Sequence, residues 1–363
     1  MAEPLLSPRS AASFREALRG WYLSNRRELP WRRDPDPWKV FLSEVILQQT
    51  RVEQGLPYYE RFTRDYPSPA FLAEAPEEEV LKAWEGLGYY RRARSLHAAA
   101  RLISERHGGR VPDDHEQLLA LPGVGPYTAA AVGSIAFGLP RAVVDGNVTR
   151  VATRLFAIEE DVSRAAGKRR VQRAAETLLD PDDAGTHNQA LMELGSLVCT
   201  PTSPACGRCP VAGHCAARSL DRQEDFPVRP SPKDRPHHVE PAAWLTGSGG
   251  TLLMVRRPLE GLLGGLWELP GGRAEEGEEA PRALERVLSL LLEVESAVEP
   301  DPLHTQEHAF SHFTVTIPVH RARITSGTPI TPPERTLRWV DSADLAGLPL
   351  STAHRRIVKA LLA

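Results

Sequence analysis

The sequence predicts an all-α half followed by a smaller α+β domain, and three observations support this division. Up to about residue 198, apolar residues recur with helical periodicity between loops marked by proline and glycine. The stretch 218–241 is rich in proline and charged residues, which is typical of a linker. Beyond it, short runs with strand character surround one long helical pattern. We therefore assign residues 1–217 to the helical half, 218–241 to the linker and 242–363 to the second domain.

The individual elements follow from the same patterns. We expect helices over 14–28, 38–49, 52–65, 76–86, 90–107, a short segment after Asp113, 126–138, 148–155, 164–179, 186–198, 280–293 and at the C-terminus. We expect strands over 242–246, 251–257, 266–269, 313–319 and 337–340. Pro30, Pro35 and Pro37 predict a rigid, extended lead-in to the second helix.

Composition limits the function classes. The 363 residues carry a net charge of -3, so any nucleic-acid surface must be local, and the arginines within 91–110 are a candidate unless they form an ordinary solvated helix face. All four cysteines lie within 199–215, which argues against a disulfide framework and for a metal in a reducing compartment. We find no signal peptide or membrane-spanning stretch. These features predict a cytoplasmic protein, and we expect a monomer.

The turn Gly123-Val124-Gly125 separates two predicted helices, and Pro126 occupies a first helical position. Two glycines allow a tight turn whose backbone N–H groups open into a helix N-terminus and can bind a phosphate. Such a turn can lie on a nucleic-acid backbone without reading a base. The alternative is an ordinary helical hairpin with a glycine turn.

The cysteines have the spacing C-x6-C-x2-C-x5-C: Cys199, Cys206, Cys209 and Cys215. Four thiolates on one compact loop can wrap a single metal centre. Zinc is the competing interpretation, although structural zinc sites usually have paired C-x2-C arms with a longer insert.

Two acidic residues are candidates for chemistry. Glu44 has Val40 at i−4 and Leu47 at i+3, so it lies on an apolar helix face where desolvation raises the pKa of a carboxyl towards that of a general acid. The alternative is an exposed glutamate paired with a cation. Asp145 precedes a predicted helix and could simply cap it.

The cysteine loop, the glycine turn and Val144-Asp145-Gly146-Asn147-Val148 together resemble the endonuclease III superfamily of DNA glycosylases. Four further motifs resemble the MutY family of adenine DNA glycosylases within that superfamily, over essentially the whole chain. They are Leu29-Pro30-Trp31-Arg32, the segment 43–52 (SEVILQQTRV), Gly86-Leu87-Gly88-Tyr89-Tyr90 and the segment 188–195 (NQALMELG).

The resemblance implies a helix-hairpin-helix glycosylase fold, with a six-helix part at about 29–138 and a cluster part at 1–28 plus 139–217, and one [4Fe-4S] cluster on the four cysteines. It implies that the substrate is duplex DNA containing adenine opposite 8-oxoguanine or guanine. Glu44 would protonate the departing adenine and then activate water, Asp145 would stabilise the sugar cation, and Tyr127 would help to organise the sugar and the water. Trp31, Arg32 and Gln189 would line the adenine pocket. The DNA-binding residues would be Gln49, Thr50, Tyr89, Gly123, Val124 and Gly125.

The residue at position 127 also bears on the reaction type. It stands where the lyase branch of the superfamily has its nucleophilic lysine, and no lysine occurs between Lys82 and Lys168. We therefore expect simple hydrolysis without strand cleavage.

The second domain resembles the Nudix fold through the segment 262–272 (LLGGLWELPGG). Its last residue, Gly272, begins the hydrolase box, and Glu278 and Arg286 fit later positions of that box. The metal-binding positions after Arg286 hold Val287, Leu290 and Leu291, which cannot bind Mg²⁺. We therefore expect a reader domain without pyrophosphatase activity. The resemblance implies that Phe310, Ser311 and His312 recognise 8-oxoguanine; otherwise they are a strand end with a surface histidine.

Two other functions compete with adenine excision. One is an oxidised-pyrimidine glycosylase/lyase of the same superfamily, which Tyr127 and the second domain disfavour. The other is a non-catalytic DNA-binding or nucleotide-handling protein, which the pair Glu44 and Asp145 disfavours.

Overall fold

The computed structural model describes residues 7–230, 234–330 and 335–362. It divides into two compact units: Met1–Ala73 with Ala98–Pro232, and Glu74–His97 with Lys233–Ala363. The helices are α1 Pro8–Asn25, α2 Pro30–Arg33, α3 Pro37–Leu47, α4 Val52–Asp65, α5 Pro69–Glu74, α6 Glu77–Ala83, α7 Arg91–Arg106, α8 His115–Leu119, α9 Pro126–Phe137, α10 Gly146–Leu155, α11 Ala165–Leu178, α12 Ala184–Leu197, α13 Ala216–Ser219, α14 Ala280–Leu292 and α15 Thr352–Leu362.

Short polar side chains fix where several helices of the first unit begin. Asp36, Asp114, Asp145 and Asp183 each accept a backbone N–H from the first turn of α3, α8, α10 and α12. Gly138 ends α9 in the left-handed conformation, with φ 69°. These signals stand in the sequence, which is why most helix positions were predictable.

One apolar cluster of the first unit lies among α1, α10 and α12, where Phe14, Leu18, Val148, Leu191 and Leu194 are fully or almost fully buried. These residues recur at helical spacing, so each helix turns one apolar face to the others. The packing fixes the beginning of α10, and hence the position of its N-cap residue, Asp145.

The segment between α1 and α3 corrects one prediction. Instead of a wholly extended lead-in, Pro30 begins the short helix α2. Proline is well suited to a first helical position, because its missing N–H would have no partner there. The helix turns Trp31 into the interior, where 5% of its surface is exposed.

The second unit contains two small sheets. Its strands are β1 His237–Val239, β2 Ala242–Leu245, β3 Leu252–Arg256, β4 Trp267–Glu268, β5 Glu295–Ala309, β6 Thr314–Ser326 and β7 Thr336–Val340. In one sheet β6 pairs in parallel with β1 and β2 and antiparallel with β5; in the other β3 lies between β4 and β7. Helix α14 packs through Leu284, Leu288 and Leu292, and α15 through Ile357 and Val358, into separate apolar clusters. The prediction of an all-α half followed by an α+β domain is confirmed.

Two strands were not predicted, β1 inside the expected linker and the long β5. Most β5 side chains are exposed, the strand contains Pro300 and Pro302, and its register against β6 shifts near Pro302. An exposed edge strand with proline and charged residues has no apolar alternation to reveal it.

The segment Glu74–His97 packs with the second domain. The Tyr90 hydroxyl donates to the carbonyl of Leu350 at 3.1 Å, and the Trp267 indole N–H donates to Glu78 at 2.7 Å. Arg355 donates twice to the Glu85 carboxylate, at 2.5 and 3.0 Å. This segment therefore shares buried and charged contacts with residues more than 170 positions away.

In the described part of the chain, none of the helices has the length and hydropathy needed to cross a lipid bilayer.

Candidate active site

A cavity of about 1110 Å³ opens in the first unit between α2, the end of α3, the glycine turn, the start of α10 and α12. Most predicted site residues of this unit contribute to its wall. They are Trp31, Arg32, Glu44, Gln49, Thr50, Gly123, Gly125, Tyr127 and Asp145. Residues separated by more than 100 positions thus meet around one space.

Glu44 lies on the buried face of α3, with 7% of its surface exposed. The Tyr127 hydroxyl donates to its Oε2 at 2.6 Å. Burial raises the pKa of Glu44 to about 7; the Tyr127 hydrogen bond opposes this rise and the charge of Asp145 adds to it. Glu44 can therefore hold or release a proton near neutral pH.

Asp145 is both a helix cap and a cavity residue. Its Oδ1 accepts the Val148 backbone N–H at 2.6 Å, and its Oδ2 accepts the Asn147 side-chain amide at 2.8 Å. Burial raises the pKa of Asp145, and these hydrogen bonds oppose the rise by stabilising the anion. One side chain therefore caps α10 and also lines the cavity.

Tyr127 is hydrogen-bonded to Glu44 and lines the same cavity as Asp145. Burial raises the pKa of its phenol well above the usual value, and the charges of Glu44 and Asp145 act in the same direction. Tyr127 is therefore a neutral hydrogen-bond donor rather than a base. Among the described residues of the cavity wall there is no lysine.

A buried ion-pair cluster forms another side of the cavity. The Glu193 carboxylate accepts hydrogen bonds from Arg32 at 2.9 and 2.9 Å and from Arg27 at 3.0 and 2.7 Å. Burial tends to raise the pKa of Glu193, but the two arginines lower it to about 2. Glu193 and its neighbour Met192 line the cavity and were given no role from the sequence, although both stand in the motif 188–195.

Two predicted residues have other positions. Gln189 lies outside the cavity wall, because its amide accepts from the Tyr22 hydroxyl at 3.3 Å and donates to the Gly185 carbonyl. The Val124 side chain is buried, with 9% exposed, and its N–H bonds the Leu121 carbonyl. In the glycine turn only Gly123 and Gly125 reach the cavity wall.

The remaining predicted residues belong to the second unit. Tyr89 has a left-handed backbone, with φ 49°, and its ring is 48% exposed. Its hydroxyl is 2.5 Å from the Ser311 Oγ. Phe310 packs against His308 and Phe313, with ring centroids 4.7 Å apart in each case, and its N–H closes a turn onto the Phe313 carbonyl at 2.8 Å. Ser311 and His312 are exposed at the tip between β5 and β6.

The hydrolase-box residues of the second domain form a simple ion pair. Arg286 donates to both oxygens of Glu278, at 2.8 and 2.6 Å, and this pairing lowers the pKa of Glu278 to about 2. Val287, Leu290 and Leu291 follow on α14, and Leu290 is 75% exposed. The positions expected to bind a metal ion therefore present hydrocarbon.

The four cysteines line one small cavity together with apolar residues of α10 and α12. Arg154 donates to the Cys199 sulfur at 3.3 Å, and Gln223 donates to the Cys206 sulfur at 3.9 Å. Burial raises the pKa of Cys209 to about 11, so its thiolate needs a compensating cation. Among the described residues, no three His, Cys, Asp or Glu side chains are close enough to hold a single metal ion. The N–H donors at the Cys199 and Cys206 sulfurs suit thiolates that bind a metal centre.

Arg150, which sequence reasoning missed, joins this loop to the catalytic cavity. Its guanidinium donates to the Cys199 carbonyl at 2.6 Å and to the Asn147 amide oxygen at 2.9 Å, and Asn147 in turn donates to Asp145. Gly195 of α12 lies directly against this network: a Cβ there would be 2.6 Å from the Asn147 Cβ. The only sequence signal was the i+3 spacing of Arg150 from Asn147 on α10.

Three family models match the chain. Residues 42–181 match the HhH-GPD superfamily of base excision DNA repair proteins, 199–215 the iron-sulfur binding domain of endonuclease III, and 242–360 the NUDIX domain. The cysteine loop is therefore an iron–sulfur binding loop.

Relatives and solved structures agree with these matches. Human adenine DNA glycosylase is 35% identical, with 96% of this chain and 73% of the human protein covered; the Arabidopsis thaliana adenine DNA glycosylase is 33% identical, with 98% and 65% covered. A thermostable thymine-DNA glycosylase structure matches with a TM-score of 0.53 at 30% identity, over 58% of this chain and 98% of that one. An endonuclease III–DNA complex matches in fold, with a TM-score of 0.51 at 23% identity, over 60% and 98%. On this evidence the chain belongs to the adenine DNA glycosylase family.

Proposed function

We propose that this enzyme removes adenine mispaired with 8-oxoguanine, or with guanine, from duplex DNA, and that it hydrolyses the N-glycosidic bond without cutting the strand. The observation that supports this most is that Glu44 and Asp145 line one cavity together with Tyr127, which is hydrogen-bonded to Glu44. Two carboxyls with different environments can serve as an acid and as a stabilising anion in glycosidic bond cleavage.

Glu44 is the general acid in this proposal. Breaking the bond to an undamaged purine needs protonation of the base, because the neutral ring would otherwise depart as an anion. Burial raises the pKa of Glu44 to about 7, so a large fraction carries a proton at neutral pH. After the base departs, the carboxylate can accept a proton from the attacking water.

Asp145 is the stabilising anion. Its hydrogen bonds from Val148 and Asn147 favour the charged form and fix the carboxylate at the N-terminus of α10. A fixed negative charge stabilises the positive sugar that develops in the transition state. The Tyr127 phenol, hydrogen-bonded to Glu44, orients the acid.

The residues of the cavity wall support hydrolysis without strand cleavage. A lyase of this superfamily needs an amine that forms a Schiff base with the sugar. Among the described residues the wall has a phenol and arginines but no lysine. Water is therefore the acceptor of the sugar.

Recognition of 8-oxoguanine is assigned to Phe310, Ser311 and His312. Ser311 and His312 are exposed and offer hydrogen-bonding groups at the tip between β5 and β6, with Phe310 packed beneath them. The hydrogen bond between Ser311 and Tyr89 supports a joint role, in which Tyr89 enters the base stack beside the lesion.

The cysteine loop would hold one [4Fe-4S] cluster through Cys199, Cys206, Cys209 and Cys215. The cluster would cross-link the loop and so support DNA binding. The purified protein should be brown and contain four irons per chain, whereas a colourless protein with one zinc would refute this assignment. Reduced cysteines suit the cytoplasmic location that we propose, and sedimentation should find a monomer.

The decisive experiment is product analysis with the full-length protein on a duplex that carries adenine opposite 8-oxoguanine. We expect free adenine, with strand breaks only after alkali treatment. Breaks without alkali would favour the lyase alternative. Tight binding with the adenine left in place would favour a non-catalytic protein.

A further inference from the structure

A second groove, of about 1210 Å³, adjoins the catalytic cavity within the same unit. Pro126, Tyr127 and Arg229 line both spaces. The floor of the groove includes Val144, which directly precedes Asp145. A ligand that enters the catalytic cavity can therefore extend into this groove.

The rim of the groove is basic. Arg141, Lys168, Arg169 and Arg229 line it, and all four are exposed, against one acidic residue, Glu176. None of the four cations forms an ion pair with a residue that the structure describes. In a chain of net charge -3, this is a local concentration of unpaired positive charge.

Arg229 comes from the segment that the sequence predicts to be a linker, yet the structure anchors that segment firmly. Phe226 is 1% exposed, and its carbonyl accepts a hydrogen bond from Arg154 at 3.2 Å. The Val228 carbonyl accepts the backbone N–H of Val162 at 3.2 Å. Arg229 follows directly, so the anchored residues before it place it at the rim that the two spaces share.

A second arginine lies close to Arg229. Arg150 lines the wall of the catalytic cavity together with Arg229. The Arg150 guanidinium already has acceptors in the Asn147 amide oxygen and the Cys199 and Gly195 carbonyls, whereas Arg229 has no ion-pair partner among the residues that the structure describes. An exposed arginine without an ion-pair partner at the edge of a cavity is well suited to bind a phosphate group.

We propose that this groove binds the phosphodiester backbone of the DNA strand whose base enters the catalytic cavity, and that the linker supplies Arg229 as a phosphate-binding residue. The proposal rests on the proposed function only in taking duplex DNA as the substrate. Arginine pairs with phosphate through two parallel N–H groups, and Lys168 and Arg169 extend the same charge along the rim. The linker is thus part of the DNA-binding surface.

The test is the affinity of the full-length enzyme for two duplexes, one fully paired and one with adenine opposite 8-oxoguanine, between 50 and about 200 mM salt. We expect Arg229→Ala to weaken both by about tenfold at the lowest salt and to reduce the slope of log Kd against log salt by about 0.9, the value of one phosphate contact. Arg229→Lys should recover most of the affinity. Combined alanine substitutions at Arg141, Lys168 and Arg169 should reduce the slope further.

Arg173→Ala is the matched control, because Arg173 is an exposed arginine of α11 outside the groove wall. It should bind both duplexes as the wild type does. If Arg229→Ala equals this control in affinity and slope, the proposal is wrong. Binding of a 5′-mononucleotide is measured alongside. If Arg229→Ala binds both duplexes as the control does but no longer binds the mononucleotide, the groove is a nucleotide site and the DNA assignment is overturned. Failure of the proposed function would look different: the wild type would release no adenine, whatever the variants bind.

Discussion

The catalytic cavity and the hydrolase-box region of the second domain both contain a glutamate with a helix beside it, but the two side chains differ in their surroundings. Glu44 is buried against a phenol and a second carboxyl, and its pKa is raised to about 7. Glu278 is half-buried with both oxygens bonded to Arg286, and its pKa is lowered to about 2. The first can exchange a proton at neutral pH, whereas the second is a permanent anion in a structural ion pair.

Glu193 shows which difference matters. It is as deeply buried as Glu44, with 1% exposed, and lines the same cavity, yet its pKa is lowered to about 2. Two arginines hold its carboxylate, and one of them, Arg32, is thereby committed to Glu193. Burial raises the pKa of a carboxyl towards neutrality only where no cation is bonded to it, as at Glu44 but not at Glu193.

The largest expected effect is that of Glu44→Gln, which keeps the shape of the side chain and removes its proton. Single-turnover release of adenine should fall by about 10³-fold or more, because general acid catalysis is lost. Binding of the mispaired duplex should remain. Glu60→Gln on the exposed face of α4 is the control. Lost binding with intact catalysis per bound complex would make Glu44 structural.

Asp145→Asn should follow, with a loss of about 10²- to 10³-fold in the same assay, since the charge that stabilises the sugar cation is removed. Asparagine still caps a helix, so the melting temperature should hardly change. Asp36→Asn makes the same replacement at the cap of α3 and should leave excision intact. Equal activity in the two variants would reduce Asp145 to a cap.

A smaller effect is expected in the second domain. Replacing Ser311 and His312 together with alanine should lower the ratio of excision opposite 8-oxoguanine to excision opposite guanine by about tenfold, the value of one or two hydrogen bonds. Ser326→Ala, at the far end of β6, controls for changes in the strand. An unaltered ratio would refute the reader assignment.

The smallest expected effect concerns pH. Wild-type excision should decline as the pH rises through about 7, because Glu44 loses its proton there. The Tyr127 hydrogen bond lowers the pKa of Glu44, so Tyr127→Phe should move this decline to higher pH in a full pH–rate profile. Tyr58→Phe, outside the cavity wall, should leave the profile in place. A shift to lower pH would show that Tyr127 acts differently.

Much of the helical half was predictable, because its signals are local. Aspartate caps, Pro126 and Gly138 mark helix ends, and helix α4 has the predicted bounds 52–65. The candidate acids were found because motif and helix-face position coincided at Glu44 and Asp145. The position of a carboxyl on the apolar face of a helix can be read from the neighbouring sequence alone.

The parts that escaped prediction depend on distant partners. The grouping of Glu74–His97 with the second domain rests on ion pairs such as that of Glu85 with Arg355, which no local pattern encodes. The same applies to Arg150, whose role exists only where α10 and the cysteine loop meet. Gln189 was assigned by motif alone, but the helix turns it towards Tyr22.

The close approach at Gly195 has a consequence for reading natural variation in this enzyme. Any larger residue there would press on Asn147, one hydrogen bond away from the Asp145 carboxylate. Such a variant would keep every group that takes part in the reaction, yet the Asp145 carboxylate would be displaced from its position. An activity screen would record the variant as inactive, whereas a sequence comparison restricted to the catalytic residues would classify it as neutral.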